Sequence, residues 1–216
     1  MSNKIMKIFL IITCCIKNND GATWADRRRQ EYYLAIANVL NLLPKNVKPI
    51  IVENSMDGSS YLDVFNCDIM YTNDNSRIVE GDIILHKGSR EIIDIRKVIE
   101  KYEIQDDDMI IKMTGRYLLF KNDFFTTVLE NLDKHAILRP YNVCTYETGD
   151  IHMVLGLFAL RCKYFKTFSY ENRNTMGAEE DFRVFINDYI SQDNILLVEK
   201  LWLRVTLGMN NKIIDC

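Results

Sequence analysis

Apolar residues along this chain fall into short β-branched runs and longer stretches of helical spacing, and the two alternate. Ile8 to Ile16 is a nearly unbroken apolar run, the pattern of a strand buried on both faces. A polar loop, Lys17 to Ala25, leads from it into a helix whose Tyr32, Tyr33, Ile36, Val39, Leu40 and Leu43 keep helical spacing and which Pro44 ends. Val47 to Glu53 predicts the next strand, and the turn-rich Asn54-Ser55-Met56-Asp57-Gly58-Ser59-Ser60 follows it. Strand, helix, strand in that order predicts a right-handed crossover.

Tyr61 to Phe65 reads as a short helix, Cys67 to Tyr71 as a short strand, Thr72 to Ser76 as a polar loop and Asp82 to Leu85 as a further strand or turn. Ser89 is placed to cap a helix running to Tyr102, with Ile92, Ile95, Ile99 and Tyr102 on one face. Met109 to Met113 predicts a central strand, and Asp123 to Leu132 a helix packed through Phe124, Phe125, Val128 and Leu132. Strands are expected at His135 to Arg139 and Met153 to Leu160, helices at Lys163 to Phe168 and Ala178 to Ile190, and a last strand at Ile195 to Val198. No internal repeat interrupts this alternation. It predicts one α/β domain over residues 1–216, with a mainly parallel, twisted, Rossmann-like sheet covered by helices on both faces.

Composition narrows the partners. With 216 residues, 48% hydrophobic and 26% charged, the chain is long and apolar enough to bury a substantial core. A net charge of −3 gives no overall positive field, so nucleic acid is not an expected partner. No apolar run reaches the ~18 residues of a bilayer span. The basic-then-apolar Lys4 to Ile16 lacks a small-residue cleavage site and reads as the first strand, not a signal peptide. Cysteines 14, 15, 67, 144, 162 and 216 show no metal-ligand spacing and read as core thiols of a reducing compartment, which makes a cytoplasmic location the expectation.

The chemistry gathers where the central strand ends. Lys112, Thr114, Gly115 and Arg116 follow the acidic turn Asp106-Asp107-Asp108 and the apolar Met109-Ile110-Ile111, so they fall where open α/β sheets bind ligands. Two cations, a hydroxyl and a glycine permitting close backbone approach suit a phosphorylated ligand. Asp106 to Asp108 reads as a solvated turn, because a lone acidic run does not supply convergent metal ligands. Arg27-Arg28-Arg29 is either a solvated helix start or a local basic patch. Tyr61, Tyr117 and Tyr146 serve packing or stack on a base or sugar, and His86 and His135 read as structural. Asp150 and His152 belong to a polar hairpin or face an acceptor sugar or a metal.

Three segments carry a likeness when read together: Lys87-Gly88-Ser89-Arg90-Glu91, Lys112-Met113-Thr114-Gly115-Arg116-Tyr117 and Gly177-Ala178-Glu179-Glu180-Asp181-Phe182. In this order they resemble a group of small GT-A-fold glycosyltransferase-like proteins of large DNA viruses and bacterial glycan loci. The resemblance implies a nucleotide-sugar donor over the carboxyl ends of the strands and a glycan acceptor entering from the C-terminal half, in the host cytoplasm for a viral protein. It implies nucleotide contacts from Thr13, with Arg27 near by, and cationic groups from Lys87 and Arg90 at a helix start. Asp181 is the first choice for the base that takes the acceptor proton, and Glu180 the second. Many GT-A enzymes hold Mn or Mg on an Asp-x-Asp pair after the central strand; here Lys112, Met113 and Thr114 stand in that place, so Lys112 and Arg116 are expected to neutralise the diphosphate. The alternatives are a nucleotidyltransferase and a catalytically degenerate glycan-binding or scaffold domain.

Overall fold

Every residue of β1 (Ile8–Cys14) is buried, because its alternating side chains feed two separate cores. Ile8, Leu10, Ile12 and Cys14 face one, Phe9 and Ile11 the other. The computed structural model describes residues 6–17, 22–74, 87–140, 153–168, 178–206 and 213–216. After β1 come α1 (Ala22–Leu42), β2 (Val47–Glu53), a 3-10 turn (Tyr61–Val64), β3 (Asp68–Tyr71), α2 (Lys87–Lys101) and β4 (Met109–Thr114). There follow β5 (Leu118–Leu119), α3 (Asp123–Glu130), β6 (Ala136–Leu138), β7 (Leu157–Arg161), α4 (Cys162–Thr167), α5 (Ala178–Tyr189), β8 (Ile195–Leu197), β9 (Leu203–Thr206) and β10 (Ile213–Asp215).

The large sheet has the order β3-β2-β1-β4-β7-β6-β8. It is parallel from β3 through β4; β7 runs antiparallel to both β4 and β6, and β8 pairs parallel with β6. Helix α1, through Tyr32, Ile36 and Val39, and helix α3, through Phe124, Phe125 and Val128, cover one face. Helices α2, α4 and α5 cover the other with Ile92, Ile95, Val98, Ile99, Phe165, Phe182 and Ile186. Strands β10, β9 and β5 form a small antiparallel sheet. Its inward residues Leu119, Leu203, Val205 and Ile214 join the first core.

Several boundaries differ from the sequence expectation, each for a local reason. Helix α2 already begins at Lys87, so Ser89 lies inside it and does not cap it. Strand β7 starts at Leu157, because Met153 makes only an isolated bridge to Pro140 before a turn. Regular structure does not end with β8, since β9 and β10 follow. Asp108 departs from the solvated-turn expectation: it is 5% exposed and its carboxylate accepts the Lys7 and Gln105 amides, each at 2.9 Å. His135 is structural as expected, with Nδ1 2.9 Å from the Tyr164 hydroxyl. The cysteines among the described residues are free thiols. Asp82 to Leu85, His86, Cys144 and Tyr146 lie outside the described residues.

Candidate functional site

The chain leaves β1 toward β2 through α1 on one face and reaches β4, on the other side of β1, through α2 on the opposite face. The carboxyl ends of β1 and β4 therefore form a topological switch point, the position where open α/β sheets present a crevice. Thr13 and Thr114 are register partners there, and the Gly115 amide donates to the Thr13 carbonyl at 2.9 Å. A Cβ on Gly115 would lie 2.7 Å from Cys14 Sγ, 3.0 Å from Ile12 Cγ2 and 3.1 Å from the Thr13 carbonyl oxygen. Glycine is thus required for the turn to lie against β1, a packing reason for the glycine at this position.

Lys112 differs more sharply from its expectation. Its position on β4 points it to the α2 face, where it is 2% exposed. The ammonium reaches Glu91 Oε2 at 3.0 Å and donates to Thr114 Oγ1 at 2.8 Å and to the Leu155 carbonyl at 2.9 Å. A lysine ammonium has three protons, and these contacts occupy them all. The other Glu91 oxygen accepts the Thr13 hydroxyl at 2.8 Å. Lys112, Thr13 and Thr114 therefore form an internally satisfied floor at the switch point, and a diphosphate lying on it must draw its positive charge from elsewhere. Glu91 is the member that sequence reasoning passed over; the available signal was an acid one turn into the helix that precedes a lysine-bearing buried strand.

Arg116 is the cation this corner leaves open to another role. It is half-buried, with its guanidinium 5.3 Å from the Tyr117 ring centre and hydrogen-bonded to the Tyr117 side chain. Burial pushes the Tyr32 and Tyr117 phenols up, and the Arg116 charge opposes that rise at both. Negative charge on Glu91 and Glu179 adds to the rise at Tyr117. The first turn of α5 thus shares the corner. Within it Ala178 and Phe182 are buried, while Glu179, Glu180 and Asp181 are half-buried and off that apolar stripe.

A second cluster closes the end of β2. Glu53 is fully buried; its carboxylate accepts the Ile16 amide at 3.2 Å and the Ser55 amide at 2.8 Å, and the Ser55 hydroxyl also donates to it. One side chain thereby fastens the loops leaving β1 and β2 to each other. Burial pushes its pKa up, opposed by the Ser55 and Ile16 hydrogen bonds and by Lys17. Beside it, Arg29 lies 4.9 Å over the Tyr61 ring. Among the described residues, the buried Asn54 Oδ1 and Tyr61 Oη have no hydrogen-bond partner, an unusual condition for buried polar atoms. Of the basic run, Arg29 lies over Tyr61 while staying exposed, and Arg27 pairs with Glu31 at 3.1 Å on the surface of α1. Arg90 is half-buried near the start of α2, which Lys87 opens. Asp150 and His152 lie outside the described residues.

For a divalent metal the described residues offer a poor fit. None of them form a group of three or more His, Cys, Asp or Glu side chains, and Glu91, the acid at the switch point, is committed to Lys112 and Thr13. Mn or Mg needs several convergent oxygen ligands. Among the described residues no helix is long and apolar enough to cross a membrane. A surface hollow lined by Arg96, Ile99, Glu103 and Lys166 lies beside Ile104 and Gln105, before β4, and is separate from this corner.

No protein-family model matches the sequence, and no curated protein matches it. Solved structures of similar fold do exist. One is a protein of Desulfovibrio desulfuricans G20, provisionally assigned as a nucleotide-diphospho-sugar transferase, at 12% identity and TM-score 0.53 over 90% of this chain and 80% of that one. Another is the glycosyltransferase GlyE of Streptococcus pneumoniae TIGR4, at 7% identity and TM-score 0.51. The likeness spans 90% of this chain but 46% of GlyE. A third is the 4-diphosphocytidyl-2C-methyl-D-erythritol synthase of Anaerococcus prevotii, at 12% identity and TM-score 0.50 over 89% of this chain and 86% of that one. At these identities the likeness is one of fold: the chain has a GT-A-like α/β architecture with a mostly parallel sheet.

Proposed function

We propose that the protein is a glycosyltransferase that moves a sugar from a nucleotide-diphosphate donor to a glycan hydroxyl. The observation that carries this reading is Arg116 beside Tyr117 just past the switch point, its guanidinium 5.3 Å from the ring centre, with the charge of Glu179 in the first turn of α5 felt at the same phenol. The nucleoside lies at the end of β2, over Tyr61 and Arg29, where Asn54 Oδ1 and Tyr61 Oη lack partners among the described residues. The diphosphate lies at Arg116, which can engage its oxygens bidentately, and Arg90 and Lys87 add charge at a helix start that itself favours anions. Asp181, or Glu180 beside it, takes the proton of the acceptor hydroxyl. The acceptor oxygen bonds to the anomeric carbon, and the carbon–oxygen bond to the diphosphate breaks with its electron pair leaving on the nucleotide. Glu179 joins the candidates for the base because its charge reaches Tyr117. Asp150 and His152 remain proposed contacts of the acceptor.

A second reading, a glycan-binding domain without catalysis, is favoured by one observation: the cation where an Asp-x-Asp pair would stand is sealed by Glu91. Release of nucleoside diphosphate from a panel of sugar nucleotides, with and without manganese, separates the two. We expect release that falls at least a hundredfold, about 3 kcal/mol of transition-state stabilisation, in one of Asp181→Asn, Glu180→Gln or Glu179→Gln, and is unchanged in Asp107→Asn. No release from any donor favours the binding domain. Release of pyrophosphate from a nucleoside triphosphate incubated with a sugar 1-phosphate, where the phosphate of the sugar attacks the α-phosphorus and pyrophosphate leaves, identifies a nucleotidyltransferase.

A further inference from the structure

The small sheet carries a surface that donor chemistry does not use. Leu201 and Leu203 both donate to the Cys216 carbonyl, at 3.2 and 3.0 Å, so Trp202 between them bulges out of the pairing with Cys216, while its own carbonyl accepts the Phe120 amide at 2.8 Å. Trp202 takes φ 54°, a left-handed conformation that a bulky residue adopts only where its surroundings impose it. Bulges of this kind re-aim a side chain, and they gather beside binding sites. Here the indole becomes the meeting point of two ammonium groups, Lys121 at 3.6 Å and Lys200 at 5.1 Å from the ring centre. Both lysines are exposed, and among the described residues neither has a carboxylate partner. The neighbouring Phe120 is 43% exposed, with the Arg204 guanidinium 4.9 Å from its ring centre; that cation is neutralised by Asp215 at 2.8 Å.

Two aromatic rings on the outside of one sheet therefore present two uncompensated positive charges within a few ångströms of one indole. Aromatic faces suit the C–H faces of sugars, and the paired ammoniums suit a carboxylate, sulfate or phosphate carried on them. The patch also borders the switch point. Leu118 follows Tyr117 directly, and the Tyr117 ring and Leu203 both lie against Gly156, where a Cβ would meet them at 2.6 and 3.3 Å. Phe120 is three residues beyond Tyr117, roughly 10 Å along an extended chain.

We infer that this face, built on Phe120, Lys121, Lys200 and Trp202, binds an anionic glycan, and that the acceptor of the proposed transfer is of this class. The inference rests on the glycosyltransferase reading for its link to catalysis, though not for the binding itself. Calorimetric titration of the full chain with tetragalacturonate, a sulfated heparin tetrasaccharide, neutral maltotetraose and oligo-dT tests it. We expect one or both anionic oligosaccharides to bind, maltotetraose to bind at least tenfold more weakly, and the double variant Lys121→Glu, Lys200→Glu to lose at least tenfold in affinity while keeping its melting temperature within about 2 °C. Trp202→Gly, which relieves the left-handed backbone and so is expected to stay folded, should lose the same affinity. Equal binding of neutral and anionic sugars, binding of none of them, or tighter binding of oligo-dT than of either anionic sugar overturns the inference. Donor turnover is read separately on the unaltered chain. Anionic-glycan binding without donor turnover sinks the transferase reading alone, and donor turnover without such binding sinks this inference alone.

Discussion

Lys112 and Glu91 show how one buried contact changes what a motif means. A lysine two residues before a Thr-Gly-Arg turn reads as a phosphate ligand until its partner is known, and that partner sits on a helix nothing in the motif announces. Removing the half-buried Glu91 leaves the buried Lys112 charge unpaired, so Glu91→Ala should cost roughly 1–3 kcal/mol, while Glu91→Met with Lys112→Met should recover most of the loss. Urea denaturation of the three chains measures both. The turn glycine gives a second test. Because the missing Cβ of Gly115 would press on a backbone carbonyl as well as Cys14 Sγ, Gly115→Ala should destabilise by roughly 1–3 kcal/mol, read as a lowered melting temperature. The sequence made the position of Thr114 to Arg116 legible, since strand length and turn chemistry are local. It could not reveal which of the two cations is held by a carboxylate, because that depends on contacts between elements distant in the chain.

At the scale of elements, α2 is tied to the ends of β2 and β3 by Asp94. This carboxyl is 1% exposed and accepts Asn54 Nδ2 and Thr72 Oγ1, each at 2.7 Å. Burial pushes its pKa up to about 7, with the Thr72 and Asn54 hydrogen bonds opposing and Asp74 adding to the rise. Asp74 is itself paired with Lys97. The unfolded carboxyl titrates near ~3.9, so between that pH and about 7 the folded chain holds a proton the unfolded chain has lost. Stability should therefore be highest at the acid end of that window, fall by a few kcal/mol as pH rises through it, and level off above. Asp94→Asn should flatten the decline, as urea midpoints between pH 5 and pH 8 would show. A wild-type midpoint that rises across that window would contradict the assignment. The long elements of this region were readable from periodicity. The direction of β7 was not, because an apolar run fits a parallel or an antiparallel neighbour equally well. Strands β9 and β10 were missed because they are short, and the left-handed Trp202 precedes the first of them.

For the whole molecule, the sheet order places the β1–β4 switch point at the Thr-Gly-Arg turn, with the Tyr61 cluster at the neighbouring end of β2. The architecture was foreseeable because it follows from alternating elements and handed crossovers. The second sheet, and the surface it presents, came only with the folded chain. The most direct test of a diphosphate at this corner is a thermal-shift titration of the wild type and Arg116→Gln with a panel of sugar nucleotides, with and without manganese. A donor at a hundred times its dissociation constant stabilises the native state by about 2.7 kcal/mol, roughly 5–10 °C for a chain of this size. We expect that rise with at least one donor in the wild type and its loss in Arg116→Gln. No rise with any sugar nucleotide, or an equal rise in both chains, would contradict a donor site built on Arg116.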